Sequence, residues 1–482
     1  MAGRAGQRDL TAGPIGRTLL LFALPTLGSN ILQTLNGSVN AIWVGNFLGE
    51  AALAATSNAN IIMFLMFGAV FGFGMAATIL VGQRFGAKDP EGARRAFGSA
   101  LGLVTAAALV IATLGWVFAP AILRVLATPG DAFDFALAYL RVIFLGLPAS
   151  MVVVVISMAL RGTGDSVTPL WFMGLTVAID AALNPLLILG VGPFPTMGIA
   201  GSATATLVAN VVTVLALTVY IERRDLPIRL RGAERRWLLP SPALMRLIVA
   251  KGVPIGAQMI VISTSALTMI GLVNREGVAT TAAYGVTQQL WAYVQMPAMA
   301  IGAAVSAMAA QNIGANRWDR VDAITRSGIF YNLLLTGATI ALLLLFDRPV
   351  LALFLGADSA ALPTARHIQL VASWGFLMFG ITMVIFGTVR ANGAVLGPLI
   401  ILFIAVYPIR VGFATAMRPL LGVDALWWSF PAGFSATLIG ATLFYRFGSW
   451  RERGAMMVPS ERQAEEEAHA TVEPAGTLKP AA

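Results

Sequence analysis

The stretch LRGTGDSVTP, residues 160–169, returns in altered form as VRANGAVLGP, residues 389–398. Two more pairs keep step with it: PTLGSN from Pro25 with PIGAQM from Pro254, and QRFGAK from Gln83 with QNIGAN from Gln311. The offsets are 229, 229 and 228 residues. A spacing kept at three places marks an internal duplication. The chain around these motifs is apolar, with 57% hydrophobic and 11% charged residues and mean hydropathy +0.79. A soluble domain carries about 25% charge, so one water-soluble core is excluded.

A bilayer crossing needs about 20 apolar residues. Spans are predicted near 18–43, 53–82, 96–118, 136–159, 168–189, 198–221, 244–272, 279–309, 327–346, 368–388, 396–417 and 423–445. The fold class is therefore all-α integral membrane, twelve helices in two pseudo-symmetric six-helix bundles. The expected divisions are a polar segment 1–16, an N-lobe 17–221, a basic linker 222–243, a C-lobe 244–447 and a disordered polar tail 448–482. With six spans per half, both halves enter the membrane in the same direction. Parallel repeats of that kind place a binding site between the lobes near the midplane.

The net charge is +9, but the basic residues lie between spans and read as topology determinants rather than a nucleic-acid surface. With the N-terminus inside, inner segments hold 25 Lys and Arg, outer loops hold 6, and Arg410 lies within a span. Both termini are expected in the cytoplasm of a multi-pass inner-membrane protein. No short cleavable signal peptide precedes the first span. There is no cysteine, which excludes disulfides, thiolate metal sites and palmitoylation.

These residues carry a family signature. VGNFLGEAALAA after the first span, QRFGAKD after the second, LRGTGDSVTP after the fourth and GIAGSATAT opening the sixth occur in family order. Gln-x-x-Gly-Ala recurs in the second half. Over residues 15–447 the chain resembles the multidrug and toxic compound extrusion (MATE) family, most closely its DinF-like branch. The resemblance implies an exporter driven by a cation gradient through alternating access, a secondary transporter and not an enzyme. The departures are specific. That branch usually carries an Asp four residues before the first VG, where this chain has Asn40. Its fifth span usually reads Asn then Asp four residues on, whereas here Asp180 precedes Asn184. Members with a C-lobe sodium site carry acids in spans seven and ten, and this chain has none there.

Asp180 is the only acid expected at mid-membrane. A charge at that depth costs at least ~2.5–3.5 kcal/mol, and intramembrane acids are functional by default. Asn184 shares its helix face, and Pro185 frees the carbonyl of Ala181. The coupling group is thus expected to be Asp180 with Asn184, Asn40, Thr206 and Asn210. Asn40 and Thr206 match family site positions. Polar residues recur at helical spacing on the first span (Gln33, Asn36, Asn40) and on the sixth (Thr206, Asn210, Thr213). Interhelical hydrogen bonding is the plain alternative for both stripes.

In the C-lobe, Tyr284, Gln288, Trp291 and Gln295 form a stripe that Met296 and Met299 extend with deformable contacts. With Gln33 and Asn36, these are the candidate substrate-binding residues for an apolar or cationic small molecule. Helix packing would explain the same stripe. Arg410 reads as a helix anchor, paired with carbonyls or snorkelling, or as a contact for an anionic substrate group. Arg161 and Arg390 occupy equivalent span ends and are expected to anchor loops. His367 and His469 fall outside the spans.

The expected activity is proton-coupled antiport of drugs or metabolites from the cytoplasm. No cofactor is needed beyond H⁺ or Na⁺, and a monomer in the bilayer is expected. Sodium coupling through the same N-lobe site is the nearest variant. A lipid-linked oligosaccharide flippase would need more basic residues in its cavity, and an intramembrane aspartyl protease needs a second carboxylate. No Walker-type phosphate loop is present.

Overall fold

The computed structural model describes residues 8–125, 130–356 and 358–452, and side chains are not described at some positions between 50 and 69 and between 125 and 132. The tail beyond 452, with His469, therefore lies outside the described residues. The described residues are helical almost throughout. A run of 72 residues, Ile15–Gly86, turns at Gly49, whose φ of 82° and ψ of −172° only glycine adopts readily. It supplies two spans, α1 (Ile15–Gly49) and α2 (50–86). There follow α3 (Pro90–Val125), α4 (Gly130–Gly162), α5 (Val167–Leu189) and α6 (Ile199–Arg224). The second half holds α7 (Pro242–Val273), α8 (Val278–Gly314), α9 (Trp318–Leu345) and the bent pair α10 (Leu362–Ala372 and Gly375–Ala391, 45° apart). It ends with α11 (Leu396–Ala416) and α12 (Asp424–Phe447).

Among the described residues, nine helices are long and apolar enough to cross a membrane, ten with the bent pair. α2 and α12 bring the membrane-length segments to the expected twelve. Residues 160–169 show how local chemistry sets these boundaries. Gly164 turns with φ of 92°. Asp165 Oδ1 then accepts from the backbone N–H groups of Val167 and Thr168, at 3.0 and 2.9 Å, capping α5. Pro169 sits in the first turn, where its missing N–H costs nothing.

The two lobes meet tightly at the end that carries the linker. Gln83 Nε2 donates to Ala391 O at 2.7 Å, and Gln311 Nε2 donates to Gly162 O at 2.8 Å. Each glutamine comes from one lobe and each carbonyl from the other, and repeat-equivalent residues trade places. A Cβ added to Gly86 would stand 1.9 Å from Gln311 O, and one added to Gly314 would stand 1.9 Å from Gln83 O. Only glycine lets the backbones approach so closely. Deeper along the same seam, a Cβ on Gly72 would stand 2.2 Å from Gly252 O.

Residues 8–13 cross this seam as a strap. Leu10 N donates to Gln311 Oε1 at 3.3 Å, Asn312 Nδ2 donates to Leu10 O at 3.0 Å, and Arg8 N donates to Gly164 O at 3.3 Å. The Leu10 side chain is fully buried among Leu19 and Phe22 of α1 and Ile301, Ala304 and Met308 of α8. Among the described residues, every hydrogen bond between the lobes lies at this linker end. The linker forms a 3₁₀ turn, Gly232–Leu238, that docks on α3 through Arg94–Glu234 at 2.9 Å. Arg231 and Arg229 bond Asp225 and hold its carboxyl below the usual carboxylate range.

Candidate functional site: a carboxylate ring in the N-lobe

Asp180 is fully buried on α5 and is surrounded by donors from three helices. Its Oδ2 accepts from Asn36 Nδ2 of α1 at 2.8 Å, Asn40 Nδ2 of α1 at 3.0 Å and Thr206 Oγ1 of α6 at 3.2 Å. Its Oδ1 accepts from Asn184 Nδ2 at 3.1 Å and Thr206 Oγ1 at 3.2 Å. Asn184 Nδ2 also donates to Asn40 Oδ1 at 2.9 Å. The ring therefore ties α1, α5 and α6 together through one carboxyl group. Helical spacing explains how each element delivers its share. Asn36 and Asn40 lie one turn apart on α1, as do Asp180 and Asn184 on α5.

Among the described residues, the groups bonded to Asp180 are polar and uncharged. Asn210 Nδ2 donates to Thr206 O at 2.9 Å, so it braces the ring without touching the carboxylate. Thr176 and Thr213 share a hydrogen bond of 2.8 Å between α5 and α6. Tyr139 of α4 is buried near enough to Asp180 to interact with it electrostatically. Asn36 Oδ1, Asn184 Oδ1 and Ser202 Oγ are buried with no partner among the described residues. Gln33 is exposed on α1. Among the described residues no group of three or more His, Asp and Glu is placed to hold a metal ion.

This geometry has a chemical consequence. A carboxylate offers about four acceptor positions and no donor. Four donor groups reach Asp180, so the ring is matched to its charged form. A protonated carboxyl would instead need an acceptor, and the spare oxygens of Asn36 and Asn184 supply one if an amide turns. Loading a proton thus requires rearrangement where α1, α5 and α6 meet. The same spare oxygens, with the carboxylate and Thr206 Oγ1, form an oxygen set suited to a hard cation.

The C-lobe stripe is placed differently from a row of free surface groups. Tyr284 and Trp291 are almost fully buried. Tyr284 stacks on Trp427 at 5.9 Å, and Trp291 meets Phe430 edge-on at 4.9 Å. Trp291 Nε1 donates to Gln369 Oε1 and Ser373 Oγ, both at 3.0 Å. Gln288 and Gln295 are half-buried, Met296 is buried and Met299 is exposed. Arg390 is buried and bonds Phe386 O at 3.0 Å, Arg161 is half-buried, and His367 pairs with Asp424 at 2.8 Å.

The MatE family model matches this chain twice, over residues 25–186 and 254–415. The chain belongs to that family. The two matched segments of this MatE protein are offset by 229 residues, the period already seen in the motifs. A curated relative, the probable multidrug resistance protein YoeA of Bacillus subtilis, is 36% identical over 441 residues, covering 91% of this chain and 95% of its own. The FAD transporter of Shewanella oneidensis is 25% identical and covers 91% and 96%. Among solved structures, an outward-facing multidrug resistance MATE transporter superposes with a TM-score of 0.84 at 21% identity, covering 94% of this chain and all of the other. A MATE in complex with MaL6 gives 0.86 at 20% identity, covering 93% and 100%. This MatE protein is thus a multi-pass membrane transporter of the multidrug efflux family, and not an enzyme.

Proposed function

We propose that this MatE protein exports small molecules by cation-coupled antiport, with a proton carried on Asp180 as the coupling ion. One observation carries the reading: a single carboxylate, fully buried in a membrane helix, holds donors from α1, α5 and α6. An ion that binds that group changes what holds the three helices together. A ligand shifts an equilibrium only by its differential affinity for the two states. The ring supplies the difference, since its bonds suit the charged carboxylate and must be rearranged for the protonated one.

The orientation follows from the basic residues of the linker and inner loops, which put both termini in the cytoplasm of the plasma membrane. In that orientation the seam closed by Gln83, Gln311 and the strap seals the cytoplasmic side. Proton binding to Asp180 from outside would then release substrate, and proton loss inside would reset the site.

Sodium at the same ring is the second reading, favoured by the unpartnered oxygens of Asn36 and Asn184. Dye efflux from proteoliposomes under a proton gradient or a sodium gradient separates the two. Asp180→Asn, nearly isosteric, is expected to abolish gradient-driven efflux at unchanged membrane abundance. Efflux that persists in this variant under a proton gradient would refute the assignment.

A further inference from the structure

The C-lobe holds a cation that nothing described so far uses. Arg410 lies on α11, within a π-helical turn spanning Ala405–Val411 that contains Pro408. Such turns occur often at functional sites. The guanidinium carbon sits 3.8 Å from the ring centroid of Phe430 on α12. Gly433, one turn further along α12, makes the approach possible, because a Cβ there would stand 3.0 Å from Arg410 Cβ.

Three roles are open to an arginine in a membrane helix. It can bind backbone carbonyls, snorkel to the interface, or meet an anion. Among the described residues Arg410 makes no ion pair and no hydrogen bond, and its Nε is buried without a partner. Carbonyl anchoring is therefore absent, although the irregular turn lies beside it. Snorkelling is absent too. Arg410 is six residues before the end of α11 at Ala416, and Phe430 is six after the start of α12 at Asp424. At 1.5 Å per residue both lie about 9 Å inside the helix ends. The side chain thus runs sideways onto a ring at its own depth.

The neighbours are donors or aromatic faces. Tyr284, six residues into α8, packs against the same ring, its centroid 6.2 Å from that of Phe430. Its hydroxyl oxygen accepts from Gln288 Nε2, which leaves the hydroxyl proton to be donated. Of the acids at this end, Glu276 pairs with Arg418, Asp347 with Arg366 and Asp424 with His367, and Asp358 is exposed and makes no hydrogen bond or ion pair with Arg410. Arg410 is half-buried with Phe430 against its guanidinium, and among the described residues no acceptor bonds its N–H groups. Planar guanidinium groups suit bidentate carboxylate or phosphate and stack on aromatic rings.

We propose that Arg410, with Tyr284 packed on the same Phe430 ring, binds the anionic group of an aromatic substrate, giving the C-lobe a subsite of opposite polarity to the Asp180 ring. The proposal deepens the transport reading by naming a substrate class, and its test needs no ion gradient. The purified protein is placed in nanodiscs of phosphatidylcholine alone and of phosphatidylcholine with phosphatidylglycerol. Binding of carboxyfluorescein and of a cationic rhodamine ester is measured by fluorescence polarisation for wild type, Arg410→Gln and Arg410→Lys. Arg410→Gln is expected to weaken carboxyfluorescein about tenfold or more. Arg410→Lys, which keeps the charge but loses the fork, should weaken it less, and the rhodamine ester should bind all three equally. Equal weakening of both dyes would make Arg410 a packing staple, and unchanged binding of carboxyfluorescein, or its failure to bind wild type, would overturn the subsite. A melting temperature that depends on phosphatidylglycerol in wild type alone, with no dye effect, would assign Arg410 to a lipid phosphate and also overturn it. Because neither dye assay uses a gradient, failure of Asp180 as the coupling group would leave these outcomes readable.

Discussion

At the scale of single residues, the ring shows why an acid is tolerable in a membrane helix. The cost of a bare carboxylate at that depth is offset by donors, and hydrogen bonds to charged groups contribute ~1.5–3 kcal/mol each. Thr206 is the informative member, because its hydroxyl reaches both carboxylate oxygens at 3.2 Å. Thr206→Val keeps the shape and removes the donor. Export in proteoliposomes is expected to fall about tenfold at normal membrane abundance, in line with one such bond. Unaltered export would mean that the hydroxyl is only packing. Asp180 is legible in the sequence as the only acid expected at mid-membrane and Asn184 as its neighbour on one helix face, whereas Asn40 and Thr206 stand out from their polar stripes because they match the family's site positions. Asn36 lies on the same stripe as Asn40, and the sequence, which groups it with the substrate-binding residues, does not show that its amide reaches the carboxylate. Tyr139 gave no signal at all, since periodicity reveals which residues share a face but not which faces of distant helices meet. Arg410 was visible as an intramembrane cation, but its lack of a partner is a fact of packing.

At the scale of elements, the duplicated Gln-x-x-Gly segments do more than mark a repeat. Each lies at the end of a long helix, α2 or α8, and each glycine lets the opposite glutamine's backbone come into contact. Gly86→Ala and Gly314→Ala place a methyl group where a carbonyl oxygen stands 1.9 Å away, so one helix must retreat. The clamp is reciprocal, and the two variants are therefore expected to act alike. The absence of native cysteine makes this measurable. Glu91→Cys and Asp319→Cys sit exposed in the first turns of α3 and α9, just beyond the clamp. Cross-linking between them should drop to a similar extent in both glycine variants, and a drop in one alone would contradict a symmetric clamp. The sequence showed the two segments to be equivalent, and it placed them at the same point in each six-span unit. It could not show that they touch, because a duplication is equally compatible with lobes that meet at either end. The break at Gly49 falls in the gap that the sequence leaves between its first two spans, 18–43 and 53–82, but the sequence does not show that one glycine alone makes the turn while helix runs up to it on both sides.

At the scale of the whole molecule, the lobes are held at one end by three layers: the strap, the glutamine clamp and the Gly72–Gly252 contact. Closure of one end is an equilibrium between two packings, and the strap belongs to the lobe interface as much as to the N-terminus. Leu10 contributes a fully buried side chain to an apolar cluster drawn from both lobes. Removing such a side chain costs ~2–5 kcal/mol, whereas inverting a two-state population from 1:99 to 99:1 takes ~5.5 kcal/mol. Leu10→Ala is thus expected to populate the linker-open state in part, and Leu10→Asp, which buries an unpaired charge in the closed state, should populate it further. Spin-label pairs report both ends at once. One pair, at 91 and 319, spans the linker end. The other, at the exposed residues Val191 and Val278, spans the far end. For rocking of rigid lobes the first distance lengthens as the second shortens, in the order wild type, Leu10→Ala, Leu10→Asp. Lengthening at the linker end with no change at the far end would mean that the strap merely detaches, and that the clamp and the glycine contact hold the seam without it.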